Sequence, residues 1–152
     1  MRATGSAVAA ATARDEIENL LERYCWTVDH GRLDEWGECF TVDGVLHIRD
    51  TVLVGREAIR TEMGRRLQSR FRFLRHLPHP ASVSLLDDEH AAARSYFEVR
   101  GRAADGRDVE ALGEYHDDIV KTAEGWQFAR RRIEITYFVH RGEPWEGDLF
   151  AT

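Results

Sequence analysis

The feature that most constrains this chain is a change of hydrophobic period near residue 70. Before it, apolar residues fall at Ile17, Leu20, Leu21, Tyr24, Cys25 and Val28, the rhythm of one face of an amphipathic helix. Ile59, Met63 and Leu67 repeat at four-residue spacing in a later segment, Arg56 to about Arg70. After it, apolar and polar residues alternate through Phe71–Leu77, Ala81–Leu86, Ala91–Arg100, Val109–Lys121 and Trp126–Phe138. Alternation is what a strand with two unlike faces produces. A chain that places its helices first and its long strands afterwards is expected to be α+β, with the helices gathered on one face of a sheet.

Turn chemistry supplies the punctuation. Thr12, ahead of Asp15 and Glu16, reads as a helix start, and Gly31 as its C-cap. Asp34 is placed to cap a short second helix carrying Leu33, Trp36 and Phe40. Thr41–Gly44 reads as a turn, Val45–Ile48 as a strand, and Gly55 precedes the third helix. Asp87-Asp88-Glu89, Asp105-Gly106 and Ala123-Glu124-Gly125 separate the later strands, and a bend is expected near Gly113. No repeat or linker divides the chain. The expected organisation is a mobile lead-in over 1–11, a single domain over 12–138 and a C-terminal arm over 139–152 anchored by Trp145 and Phe150. A long curved, mostly antiparallel sheet with three N-terminal helices across its concave side makes a cone. The interior of such a cone is an apolar pocket of small-molecule size.

Composition removes several function classes. The formal charge is −6, against nucleic-acid binding driven by bulk charge. No apolar run approaches the ~20 residues of a membrane span. Two cysteines, Cys25 and Cys39, in 152 residues make no disulfide framework, and neither thiol has metal-ligand spacing. Without the apolar core of a signal peptide in the first residues, the expected location is the cytoplasm. Phosphate-binding glycine loops, nucleophile elbows and zinc-protease motifs are missing, so acid–base chemistry by His, Asp and Tyr is what remains.

Few residues can carry such chemistry. Tyr24 sits in the apolar stripe of the first helix, as a core tyrosine or as a site residue. Asp29 lies at the C-terminal end of that helix, where an acid is electrostatically disfavoured and needs a compensating partner. His76 and His79 occur in Arg75-His76-Leu77-Pro78-His79-Pro80. On an extended strand their side chains point to opposite faces, which argues against a metal pair. Tyr115 shares a strand face with Gly113 and Asp117, as a pocket residue or a cross-strand aromatic.

The order of these residues resembles the SnoaL-like branch of the nuclear transport factor two-like superfamily. The likeness rests on LLERYCWTVDHGRLDEWGECFTVDGV, then VGREAIR, RHLPHPASVSL and LGEYHDDIVKTAEGWQFARRRI, and runs from about residue 13 to 137. It implies a cone-shaped sheet packed by three helices, commonly dimeric. Residue by residue, the fit is to scytalone dehydratase-like and bile acid 7α-dehydratase-like enzymes, in which a Tyr and an Asp of the first helix converge with a His of the first strand after the third helix. Tyr24, Asp29 and His76 occupy those positions, and His79 falls where the bile acid enzyme has a second histidine. No counterpart is found for a second catalytic histidine near Ala103, nor for the sheet Asp of a ketosteroid isomerase.

The resemblance implies a cofactor-independent dehydratase acting beside a carbonyl on a polycyclic, steroid-like or aromatic-polyketide molecule. His76 would be the base, Asp29 its orienter and Tyr24 an oxyanion donor, with His79, Phe97 and Tyr115 binding substrate and no metal involved. A ketosteroid-isomerase-like isomerase or a polyketide cyclase would use the same residues. A non-catalytic small-molecule-binding domain would leave Tyr24 in the core. On the last strand Arg130, Arg132 and Glu134 alternate with Ala129, Arg131, Ile133 and Ile135, which leaves apolar positions for a homodimer through the sheet.

Overall fold

The computed structural model describes residues 2–142. Helix α1 spans Arg2–Asp29. It starts well before Thr12, because Ala7–Ala13 is dominated by alanine, the best helix former. The Thr12 hydroxyl donates to the Val8 carbonyl one turn back, at 3.0 Å, instead of capping the helix. Ile17, Leu20, Leu21, Tyr24 and Cys25 form the buried stripe, as their spacing predicts. Gly31 follows with φ +67°, the left-handed conformation expected just past a helix. Helix α2 (Leu33–Gly37) buries Trp36 completely. The third helical segment runs through α3 (Arg56–Ala58), a π-helical turn (Ile59–Met63) and α4 (Gly64–Arg70).

Seven strands follow or interleave: β1 (Phe40–Ile48), β2 (Thr51–Val54), β3 (Phe71–Pro78), β4 (Ser82–Leu85), β5 (His90–Ala103), β6 (Asp108–Thr122) and β7 (Gly125–Arg141). Their order is β2-β1-β7-β6-β5-β3, with β4 also on β5. All pairings are antiparallel except β1 with β7. Thr41–Gly44 is no turn: it lies within β1, where the register on β7 slips between Phe40 and Val45. A bulge absorbs the turn-like residues without ending the strand. β3 and β4 continue each other along β5, interrupted at His79-Pro80-Ala81. Prolines at 78 and 80 are tolerated because this is the sheet edge.

The long strands bend as expected. The register between β6 and β7 shifts at Leu112/Gly113 and again at Asp118/Ile119. At Gly113 a Cβ would lie 2.2 Å from the Glu134 carbonyl and 2.7 Å from the Phe97 ring, so only glycine lets that ring settle on the sheet. The alternation along β7 is present, but its apolar register faces inward. Ile133 and Ile135 line the concave cavity. Arg130, Arg132 and Glu134 alternate with them on the outer face, so the isoleucines that suggested a homodimer face lie inside the cone. β7 reaches Arg141, past the expected end at Phe138, so the expected arm begins as strand, and its anchors Trp145 and Phe150 lie outside the described residues.

Candidate active site

The cone encloses a cavity of about 670 Å³, within the range of small-molecule sites. Its wall is apolar: Met63 and Leu67 from the third helical segment, Leu74 from β3, Phe97 and Val99 from β5, Ala111 from β6, Ile133 and Ile135 from β7. His76 and Tyr115 are the polar side chains set into this wall. Arg49, Thr51, Arg66, Arg70, Asp105 and His140 are the other polar residues of the lining.

Asp29 finds the partner its position demands. It is the last residue of α1, where the helix carbonyls repel a carboxylate. Its Oδ2 accepts the His76 backbone N–H at 2.7 Å, and its Oδ1 lies 2.6 Å from His76 Nδ1. β3 is an edge strand, so one row of its N–H groups has no strand neighbour and can be given to a helix end. The two contacts fix both the backbone and the ring of His76 on one carboxylate. The Asp29 side chain is 6% exposed and that of His76 13%. Water is therefore nearly excluded from the pair, while the imidazole still reaches the cavity. An ionised Asp29 accepts only, so Nδ1 carries the proton and Nε2 is the nitrogen left with a lone pair.

Tyr24 is placed differently from the other two. It does not line the cavity. It is 3% exposed and packs against Trp36, Phe40, Phe128 and Tyr115, with ring centroids between 5.7 and 6.1 Å. The His76 ring is 6.5 Å away. Burial drives the Tyr24 pKa well above that of a free tyrosine, with the Arg131 charge partly opposing. Tyr115 does line the cavity, stacked on Phe97 at 4.3 Å, and burial raises its pKa as well. Phe97 and Tyr115 thus both border the cavity. His79 does not: it is absent from the cavity lining and lies 3.4 Å from Glu98, because two prolines and the strand break turn it outward.

Sequence reading missed one group, Arg131. It faces inward, 1% exposed, and its Nε and Nη2 bind the two oxygens of Asp117 at 2.8 Å each. Its Cζ lies 4.2 Å from the Tyr24 ring centre, 4.0 Å from Tyr115 and 4.1 Å from Phe128. Nη1 is buried without a hydrogen-bond partner among the described residues. The guanidinium is held by one carboxylate and three ring faces, an arrangement that stabilises a dry cation. Burial acts to lower the Arg131 pKa, but the charge and hydrogen bonds of Asp117 outweigh it and raise it above its already high value.

On the outer face of the sheet, Glu114, His116 and Glu134 bring three possible ligand atoms within 4.8 Å of one another. His116 Nε2 is 2.9 Å from Glu114, and Arg132 also pairs with Glu134. These are the described residues that could hold a divalent ion. They face away from the cavity, since His116 and Tyr115 alternate on β6.

Comparison with known proteins agrees with this architecture. Residues 9–132 match the model of the SnoaL-like domain. The small subunit of anthranilate 1,2-dioxygenase from Burkholderia cepacia is 28% identical over 134 residues, covering 78% of this chain and 83% of that one. A crystal structure assigned as a scytalone dehydratase from Novosphingobium aromaticivorans superposes with a TM-score of 0.82 at 20% identity, over 96% of this chain and 99% of that one. Hexachlorocyclohexane dehydrochlorinase LinA-type3 from Novosphingobium barchaimii gives 0.80 at 13% identity, over 96% and 99%. At those identities the two structures speak for the fold. No helix among the described residues is long and apolar enough to cross a membrane. The match across most of the domain identifies the chain as a member of the SnoaL-like domain family.

Proposed function

We propose that the protein is a cofactor-independent lyase that removes a proton next to a carbonyl of a polycyclic, steroid-like or aromatic-polyketide molecule. The observation that carries this reading is the Asp29–His76 pair, with the imidazole at the wall of a mainly apolar cavity. Nε2 takes the proton from carbon. The C–H electron pair forms the double bond of an enolate, which then expels a hydroxyl group from the next carbon. The proton on Nε2 passes to that hydroxyl, and water leaves. Asp29 holds the ring and balances the imidazolium that forms between the two transfers. Tyr115, neutral and on the cavity wall, donates to the oxygen that gains charge. Tyr24 supports Tyr115 and His76 from behind by ring packing.

An isomerase or a cyclase would open with the same proton transfer. Elimination is favoured because two structural neighbours, a scytalone dehydratase and a dehydrochlorinase, are both named for eliminations. The test is exchange of the acidic α-hydrogens of β-tetralone in deuterium oxide, followed by proton NMR. The wild-type protein should accelerate it and His76→Gln should not. Equal rates in both would leave a non-catalytic binding domain as the reading.

A further inference from the structure

The chain is acidic overall, with 27 carboxylate residues against 21 lysines and arginines. The cavity runs against that balance: Arg49, Arg66 and Arg70 line it, and Asp105 is its single carboxylate. Asp105 is already engaged by Arg107 at 2.7 Å. Arg66 pairs with Glu62 and reaches the Thr51 hydroxyl at 3.2 Å. Arg49 and Arg70 make no side-chain ion pair among the described residues, and both are exposed. Two cations without counter-charges among the described residues therefore edge a cavity whose wall is mainly apolar.

Arg49 carries a second sign of function. It occupies the first position of the two-residue turn between β1 and β2, at φ +51°, and no other non-glycine residue described has a positive φ. Hairpin turns of this kind favour glycine at such a position. An arginine there accepts backbone strain in order to place a guanidinium at the cavity edge.

We infer that the ligand is an elongated apolar carbonyl compound bearing an anionic group, a carboxylate or its equivalent, held by Arg49 and Arg70 far from the reacting carbon. Arg70 ends α4, six residues before His76 on β3, a separation of at most roughly 20 Å were the chain fully extended. The charge thus docks at one end and the C–H bond reaches His76 at the other. The inference rests on the reading of this cavity as the substrate site, but its test does not require turnover.

Pyrenebutyrate and pyrenebutanol share one polycyclic body and differ in the charge of the end group. Fluorescence titration at low salt should give about tenfold tighter binding of the acid, as expected for arginine–carboxylate hydrogen bonds. The preference should shrink at high salt and vanish in Arg49→Gln/Arg70→Gln. Arg49→Gly should raise the melting temperature by relieving the turn while weakening the preference. His76→Gln should keep the preference in full, so failure of catalysis and failure of anion recognition stay separate. Equal binding of the two probes, no binding of either, or a preference that survives in the double variant would overturn the inference.

Discussion

Asp29 and Asp117 each hold one cationic partner, and the contrast between the two pairs explains how this domain separates chemistry from support. Asp117 and Arg131 are each 1% exposed and lie on adjacent central strands. The fork of the guanidinium meets both carboxylate oxygens, and three aromatic rings cover the rest. Asp29 and His76 join a helix end to an edge strand and border the cavity. There the partner is an imidazole, whose second ring nitrogen the carboxylate does not touch. The same element of design, a carboxylate with a nitrogen partner, is inert where it is sealed by strands on both sides. In the proposed function it is reactive where an edge strand leaves one ring nitrogen to the cavity.

Breaking the outer pair should have the largest effect, and on rate. His76→Gln or Asp29→Asn should lower proton-transfer turnover ~10²–10⁴-fold with little change in melting temperature. The double variant should be scarcely worse than either single one, since one residue serves the other. If the two losses simply add, the residues act independently.

Breaking the inner pair should act on stability instead. Asp117→Ala leaves the Arg131 charge buried, and urea titration should register a loss of ~3–5 kcal/mol. Replacing both partners, Asp117→Leu with Arg131→Met, should recover most of that loss. A fully stable Asp117→Ala would mean the pair is not the internal support described.

The two tyrosines sharpen the distinction further. Tyr115→Phe should reduce turnover ~10²–10³-fold, as for loss of one oxyanion donor. Tyr24→Phe should cost at most ~1–3 kcal/mol of stability and leave most activity. The reverse order of effects on turnover would return the donor role to Tyr24.

The smallest effect concerns alkaline pH. Burial pushes the Cys25 thiol up to about 12 and that of Cys39 up to about 11, from an ordinary 9.0. Above the unfolded value the folded chain retains protons the unfolded chain releases, so stability is complete below it and falls as pH rises towards the folded values. Melting curves under reducing conditions should decline from about pH 9 upward, less steeply in Cys25→Ala. A flat profile would show the thiols to be wet.

How much of this was legible in the sequence depended on the range of the signal. The stripe of α1, the bend at Gly113 and the turns at Asp105-Gly106 and Ala123-Glu124 were local patterns, and the structure has them. The need of Asp29 for a partner was visible in its helix-end position. The parallel pairing of β1 with β7 joins distant segments, and no local pattern encodes it. Arg131 was obscured by one bulge. Counting outward from the turn pairs Thr122 with Gly125, which would set Asp117 opposite Arg130. The shift at Asp118/Ile119 moves Asp117 onto Arg131 and turns an arginine inward. Tyr24 shows the converse limit: its place on the buried stripe was legible, but whether that stripe met cavity or core depended on Trp36, Phe40 and Phe128 closing around it.

The central claim is that Asp29 fixes His76 with its proton on Nδ1 and its Nε2 lone pair available to the cavity. Nitrogen-15 NMR of histidine-labelled protein, in the pH range where His76 is neutral, reads this without any substrate. The account predicts a protonated Nδ1 and an unprotonated Nε2 for His76, with loss of that preference in Asp29→Asn. A proton on Nε2 in the wild-type protein would contradict it.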